Sequence, residues 1–321
     1  MLTSKRQYTL GACGLFIAIF MLLNAAAYMH ASKMITFTEG GAITKPIERL
    51  SFSEKLSLCF TGTNIPKPAN SGSPRSINSS FMLITLKTKD EVNLECWSLT
   101  NNNPAGNVIL LHGYAASKSQ LLPEAKFFYD KGYNVLLPDF RASGGSSGNT
   151  TSIGYYEALD VQTCYEYIAG KYAPDRPVII YGISMGGAAA LRAVSEFGIK
   201  PDKLILESVF STMLSAVENR FRIAGAPAFP LANLLTAWGG IKLHFNPFHH
   251  NPCDYAKKCN TSVLMLQGNA DPKVTVEQAK TVFDNLNGKK KIEVFDTSEH
   301  ASLYAGAPDK WSDTVSRFLT E

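Results

Sequence analysis

Gly182-Ile183-Ser184-Met185-Gly186-Gly187 follows the apolar run Pro177-Val178-Ile179-Ile180-Tyr181 and precedes the small-residue run Ala188-Ala189-Ala190-Leu191-Arg192-Ala193. A serine set between a buried strand and a helix, with glycine two before and two after it, has the pattern of a nucleophile elbow. The turn is sharp and strained, and strand and helix approach too closely for side chains at the glycine positions. Ser184 then stands with its hydroxyl proud of the sheet. The same five residues also fit an ordinary strand-to-helix turn with Ser184 as a helix cap, so the rest of the chain has to decide.

Length and composition narrow the choice. With 321 residues and 45% hydrophobic content, the chain can bury one large core, and the span after residue 80 fits a single domain. The formal net charge is +4, but the charges are scattered. The one tight basic run, Lys289-Lys290-Lys291, lies between Asn287-Gly288 and an apolar strand, which reads as a solvated loop and not as a nucleic-acid patch.

Lys5 and Arg6 precede an apolar run from Leu10 to Tyr28 that only Asn24 interrupts. At about 1.5 Å rise per residue it can just span a bilayer. Residues 1–31 therefore read as an N-terminal transmembrane anchor or signal peptide. The basic flank puts that end in the cytoplasm and the remainder across the membrane, anchored there or secreted. Ala25-Ala26-Ala27 offers small residues to a signal peptidase, but the run is longer than most signal-peptide cores, which favours an uncleaved anchor. Leu10-Gly11-Ala12-Cys13 imitates a lipoprotein box, yet the apolar region follows Cys13 instead of preceding it. Of the cysteines beyond, Cys253 and Cys259 are near enough in sequence for a local disulfide in an exported domain. No Cys-x-x-Cys pair or His/Cys cluster points to a metal.

Residues 32–79 read as a linker, with a short helix over Ile47 to Leu58 and a flexible or extended spacer from Ile65-Pro66-Lys67-Pro68 to Ser71-Gly72-Ser73-Pro74. From residue 80 to 321 the pattern alternates. Phe81 to Leu86 and Val92 to Leu99 form a hairpin pair, followed by short apolar runs at 108–111, 135–137, 178–181, 204–206, 263–266 and 292–295. Such runs are buried on both faces, which implies a mostly parallel eight-stranded sheet. Helices fill the gaps at 121–131, 155–172, 185–197, 276–286 and 309–319.

Further motifs sit at the strand ends. His112-Gly113-Tyr114 follows the third strand and Asp139-Phe140-Arg141-Ala142-Ser143-Gly144 the fourth; Gln267-Gly268-Asn269-Ala270-Asp271 follows the seventh and Ser298-Glu299-His300 the eighth. With the serine turn after the fifth strand, residues 80–321 resemble an α/β-hydrolase of the serine-aminopeptidase-like or prolyl-oligopeptidase-like bacterial branch. The resemblance implies an α/β fold with a small helical cap, 209–260, between strands six and seven. The chain departs from the family pattern at Ala142, where glycine is usual.

A serine hydroxyl needs a base within hydrogen-bond reach. His300 fits best, just past the last strand at the sheet edge that carries Ser184. His112, beside a glycine turn after an inner strand, reads as architectural, its ring bonded to loop backbone. His244, His249 and His250 lie in the cap insertion, where surface or substrate-wall positions are expected. Asp271 is the expected partner of His300, and Ser184, Asp271, His300 is the chain order of an α/β-hydrolase triad; as a lone residue Asp271 also reads as a turn aspartate before Pro272. The backbone N–H groups of Met185 and Tyr114 would hold an oxyanion, and the Tyr114 hydroxyl either lines an acyl pocket or simply packs.

The reading is a serine hydrolase acting on a small-molecule acyl substrate, an ester, thioester or amide, through an acyl-enzyme and with no cofactor. Acyl transfer or peptidase action on the same scaffold, and a non-catalytic membrane-tethered binding protein, are the alternatives. The apolar residues of the cap, among them Phe229, Leu234, Leu235 and Trp238, pack on the core, wall an acyl site or touch a bilayer.

Overall fold

A computed structural model describes residues 2–42, 44–45, 50–172, 176–296 and 300–321. The chain opens with helix α1 (Leu2–Ile35), which runs past residue 31 without a break. Helix α2 (Phe52–Thr61) begins at a capping box in which Ser51 and Glu54 satisfy each other's backbone N–H. It starts later than the helix expected from Ile47, and 46–49 lie outside the described residues.

Eight strands then follow: β1 (Met82–Lys87), β2 (Asn93–Leu99), β3 (Asn107–Leu111), β4 (Asn134–Pro138), β5 (Val178–Ile183), β6 (Lys203–Glu207), β7 (Ser262–Gly268) and β8 (Lys290–Phe295). They form one sheet in the order β1-β2-β4-β3-β5-β6-β7-β8. β1 and β2 run antiparallel to each other, and β2 antiparallel to β4; every other neighbouring pair is parallel. The inner strands β3 and β4 are buried at every position, which is why they carry continuous apolar runs instead of alternating ones.

Helices cover both faces. Helices α3 (Leu122–Asp130), α10 (Leu303–Gly306) and α11 (Pro308–Thr320) pack one face through Phe128, Leu303, Trp311 and Phe318. On the other lie α4 (Glu157–Tyr172), α5 (Met185–Phe197), α8 (Pro252–Ala256) and α9 (Val276–Asn285). Between β6 and β7 the chain leaves the sheet and forms α6 (Met213–Ile223) and α7 (Leu231–Leu243). Their shared core of Met213, Val217 and Ala232 is separate from those of the sheet. Helices α6 and α7 therefore pack on each other and on α1, whereas Val209, Phe210, Cys253 and Tyr255 of the same insertion join the main core.

The segment read as a spacer is extended and docked. Gly144 donates to Pro68 O at 2.7 Å and Ser117 Oγ to Ala69 O at 3.1 Å, while Asn70 Nδ2 donates to Asp139 Oδ2 at 2.8 Å. Cys253 and Cys259 are both buried and both free thiols. The expected local disulfide does not form: the two side chains pack as small apolar groups in the sheet core.

Candidate active site

Ser184 occupies the step from β5 to α5 with φ 50° and ψ −110°, a strained conformation for a residue with a Cβ. Two close approaches hold it there. A Cβ on Gly182 would stand 2.7 Å from the Gly186 carbonyl carbon, and one on Gly186 would run into the Leu111 and His112 carbonyls. The Ser184 N–H donates to Glu207 O at 2.7 Å. That bond ties the turn to the end of β6, and the Ser184 side chain makes no capping bond to α5.

His300 comes from the loop after β8 and Asp271 from the loop after β7. His300 Nε2 is 3.1 Å from Ser184 Oγ, and His300 Nδ1 is 2.7 Å from Asp271 Oδ2. The other oxygen, Asp271 Oδ1, accepts the N–H groups of Lys273 at 2.8 Å and Val274 at 3.0 Å. Burial works against the Asp271 charge, but the His300 bond and the two amides outweigh it and hold the carboxyl below its ordinary 3.8. An ionised Asp271 fixes the proton of His300 on Nδ1 and leaves Nε2 to accept from Ser184. Of the neighbours in the His300 motif, Ser298 and Glu299 lie outside the described residues.

Gly113 lies against the elbow: a Cβ there would be 3.9 Å from Ser184 Cβ. Tyr114 follows directly on that approach to Ser184, and Met185 opens α5 directly after Ser184. Among the described residues no backbone partner takes the N–H of either. His112 holds this loop in place. Its Nδ1 donates to Gly113 O at 2.8 Å and its Nε2 accepts from the Phe140 N–H at 3.0 Å, the architectural role expected of it. Burial lowers its pKa, so the ring stays neutral, as this pairing requires.

Such a β-strand order, with the serine after the fifth strand, the acid after the seventh and the histidine after the eighth, belongs to one known scaffold. The chain has the α/β-hydrolase fold. Residues 102–235 match the family model of serine aminopeptidase, S33. Among curated relatives, the chain is 27% identical to the uncharacterized protein YqkD of Bacillus subtilis over 66% of this chain and 70% of that one. It is 26% identical to protein bem46 of Schizosaccharomyces pombe, over 78% and 81%. Among solved structures, an esterase of Pyrococcus furiosus superposes with a TM-score of 0.68 at 24% identity, covering 80% of this chain and 97% of that one.

Several features of the chain escape the sequence. Lys118 is fully buried; its Nζ pairs with Asp139 Oδ2 and, at 2.7 Å, with Glu95 Oε1. It locks the Tyr114 loop to the loop after β4. In that second loop Ala142 takes φ 63°, a left-handed conformation that explains why glycine is usual at this position. Glu207 is buried as well, and accepts from Leu303 N–H at 2.7 Å, Tyr181 Oη at 2.8 Å and Trp311 Nε1 at 3.1 Å. It anchors the segment that follows His300.

His250, expected at a surface or substrate wall, is instead wholly buried. Its Nε2 meets Ile153 O and its Nδ1 the Tyr255 hydroxyl, each at 3.1 Å, and burial holds its pKa down to about 4. His244 ends α7 in a left-handed cap. The Tyr114 hydroxyl donates to Met34 O, the last turn of α1, at 2.6 Å. Beside that bond lies a narrow cavity of ≈ 40 Å³, walled by Met34 and Ile35 of α1, Leu235 and Leu243 of α7, and Ile153. Its walls are almost wholly apolar.

Proposed function

We propose that the chain is a serine hydrolase that cleaves an ester through an acyl-enzyme. Ser184 Oγ attacks the carbonyl carbon as its proton passes to His300 Nε2, and the Asp271 carboxylate stabilises the resulting imidazolium. The N–H groups of Met185 and Tyr114 take the developing oxyanion. Collapse breaks the bond to the leaving oxygen, which receives the proton from Nε2. Water then attacks the acyl-serine by the same relay and releases the acid. No metal or organic cofactor enters these steps.

The observation that carries the reading is the unbroken relay from Ser184 through His300 to Asp271, at 3.1 and 2.7 Å. An ester is favoured over a peptide because, among the described residues, no acidic cluster in the cap stands ready to clamp an amine. The test is fluorophosphonate labelling of the full chain in detergent. Wild type should label and Ser184→Ala should not; a folded wild type that stays unlabelled would exclude the mechanism. A panel of p-nitrophenyl esters of rising chain length then maps the acyl preference.

The family that matches residues 102–235 is described as a serine aminopeptidase, which favours peptide cleavage as a second reading. Aminoacyl p-nitroanilides test it with the same two proteins. Helix α1 is long and apolar enough from Leu10 to Ile35 to cross a membrane, and the basic flank supports a catalytic domain held outside the cytoplasm. A reporter fused after Glu321 should be active only on that side.

A further inference from the structure

The uncovered part of α1 is too short to cross a bilayer unaided. The thirteen residues from Leu10 to Leu22 are exposed along their whole length, and at 1.5 Å per residue they rise about 20 Å against about 30 Å of hydrocarbon. Gln7 to Thr9 bring this to about 24 Å, and Lys5 and Arg6 bar further extension in that direction. A span has to include Leu23 to Tyr28.

The cap is packed on that length of helix. Trp238 Nε1 donates to Asn24 Oδ1 at 3.2 Å, the Trp238 and Tyr28 rings meet edge-on at 5.4 Å, and Lys242 Nζ lies 5.8 Å from the Tyr28 ring centre. Asn24 also donates to Phe20 O at 2.9 Å, so the one polar residue of the apolar run is satisfied by its own helix and by the cap. Helix α7 is apolar around most of its circumference, and Lys242 is its sole charge. Its Ile241 is 60% exposed, and Phe229, just ahead of it, 79%. Tryptophan, tyrosine and a lysine reaching outward are the side chains that mark a lipid–water boundary.

We propose that α7 and the turn at Phe229 form a membrane-seated face, occupied by the phospholipids of the leaflet at the C-terminal end of the α1 span. Continuity with α1 selects lipid over a second copy of the chain, because whatever surrounds Asn24 and Tyr28 also surrounds Trp238. The proposal rests on α1 spanning the bilayer. Its consequence for substrate rests on the serine-hydrolase reading: an amphiphilic ester would reach the site from the bilayer and not from solution.

The test uses the full chain in phosphatidylcholine vesicles, with and without dibromostearoyl phosphatidylcholine as a contact quencher of tryptophan. Trp97 and Trp311 are buried in the sheet domain and serve as the unquenched background. Bromolipid should remove at least about half of the emission that is present in wild type and missing from Trp238→Phe. A protein that stays in the vesicles through a carbonate wash, yet is quenched no more in wild type than in Trp238→Phe, overturns the proposal while leaving the anchor intact. A protein extracted by carbonate overturns both.

Turnover supplies a second arm. Ile241→Asp and Phe229→Asp should slow cleavage of vesicle-borne p-nitrophenyl palmitate about tenfold and leave p-nitrophenyl acetate in water unchanged. Equal losses on both esters would count against the lipid face. No turnover of either by wild type would sink the hydrolase reading, and the quenching result would still decide the surface.

Discussion

Asp271 carries two hydrogen bonds on one oxygen and His300 on the other, and the two sets do different work. The amides of Lys273 and Val274 fix the carboxylate whether or not His300 is present, so Asp271→Asn should fold. It should nevertheless lower kcat about 10⁴-fold, since an amide favours the wrong tautomer of the imidazole; steady-state kinetics on a p-nitrophenyl ester would show it. Glu207 presents the opposite balance. Burial outweighs its three donors and raises its pKa from 4.5 to about 7. A carboxyl whose folded pKa is raised holds its proton more tightly when folded, so its contribution is full below pH 4.5 and is lost as pH rises through about 7. Between those values wild type should lose on the order of 3 kcal/mol that Glu207→Gln does not lose, read as the slope of thermal stability against pH.

Lys118 shows how one side chain can join two elements. Removing it in Lys118→Ala leaves the Asp139 charge buried without a cation, and should cost about 3–5 kcal/mol in a urea melt. The loops after β3 and β4 should loosen together. At this scale the sequence was informative wherever local pattern decides structure. The inner apolar runs became strands because a strand buried on both faces has no freedom to be polar, while the edge strands β1 and β8 keep exposed positions. The elbow was legible because Gly182 and Gly186 answer a steric demand that only glycine meets. Ser184, His300 and Asp271 were legible because each sits at a strand end. What stayed hidden depends on partners far along the chain: Asn70 on Asp139, Tyr114 on Met34, His250 on Ile153. Polar pairs of this kind leave no period in the sequence, and a run with prolines reads as a free spacer whether or not loops elsewhere capture it.

The molecule as a whole is built around α1 as much as around its sheet. Ala27, Ala31 and Ile35 are buried against the rest of the chain, and Met34 supplies the acceptor for Tyr114. A chain begun at Thr36 should therefore lose about 3 kcal/mol or more from lost burial, seen as a lower melting temperature than that of the full chain in the same detergent. Its turnover should also fall, because the Tyr114 loop loses its tether. The burial of Ala27, at 6% exposure, bears on processing too. A signal peptidase needs its small residues in an extended strand, and in the folded chain Ala25 to Ala27 are helical and partly covered. A signal peptidase acting here would compete with folding for the same three alanines. Once the cap has packed on Asn24 and Tyr28, the bond after Ala27 would be out of its reach, and the outcome would hang on which came first.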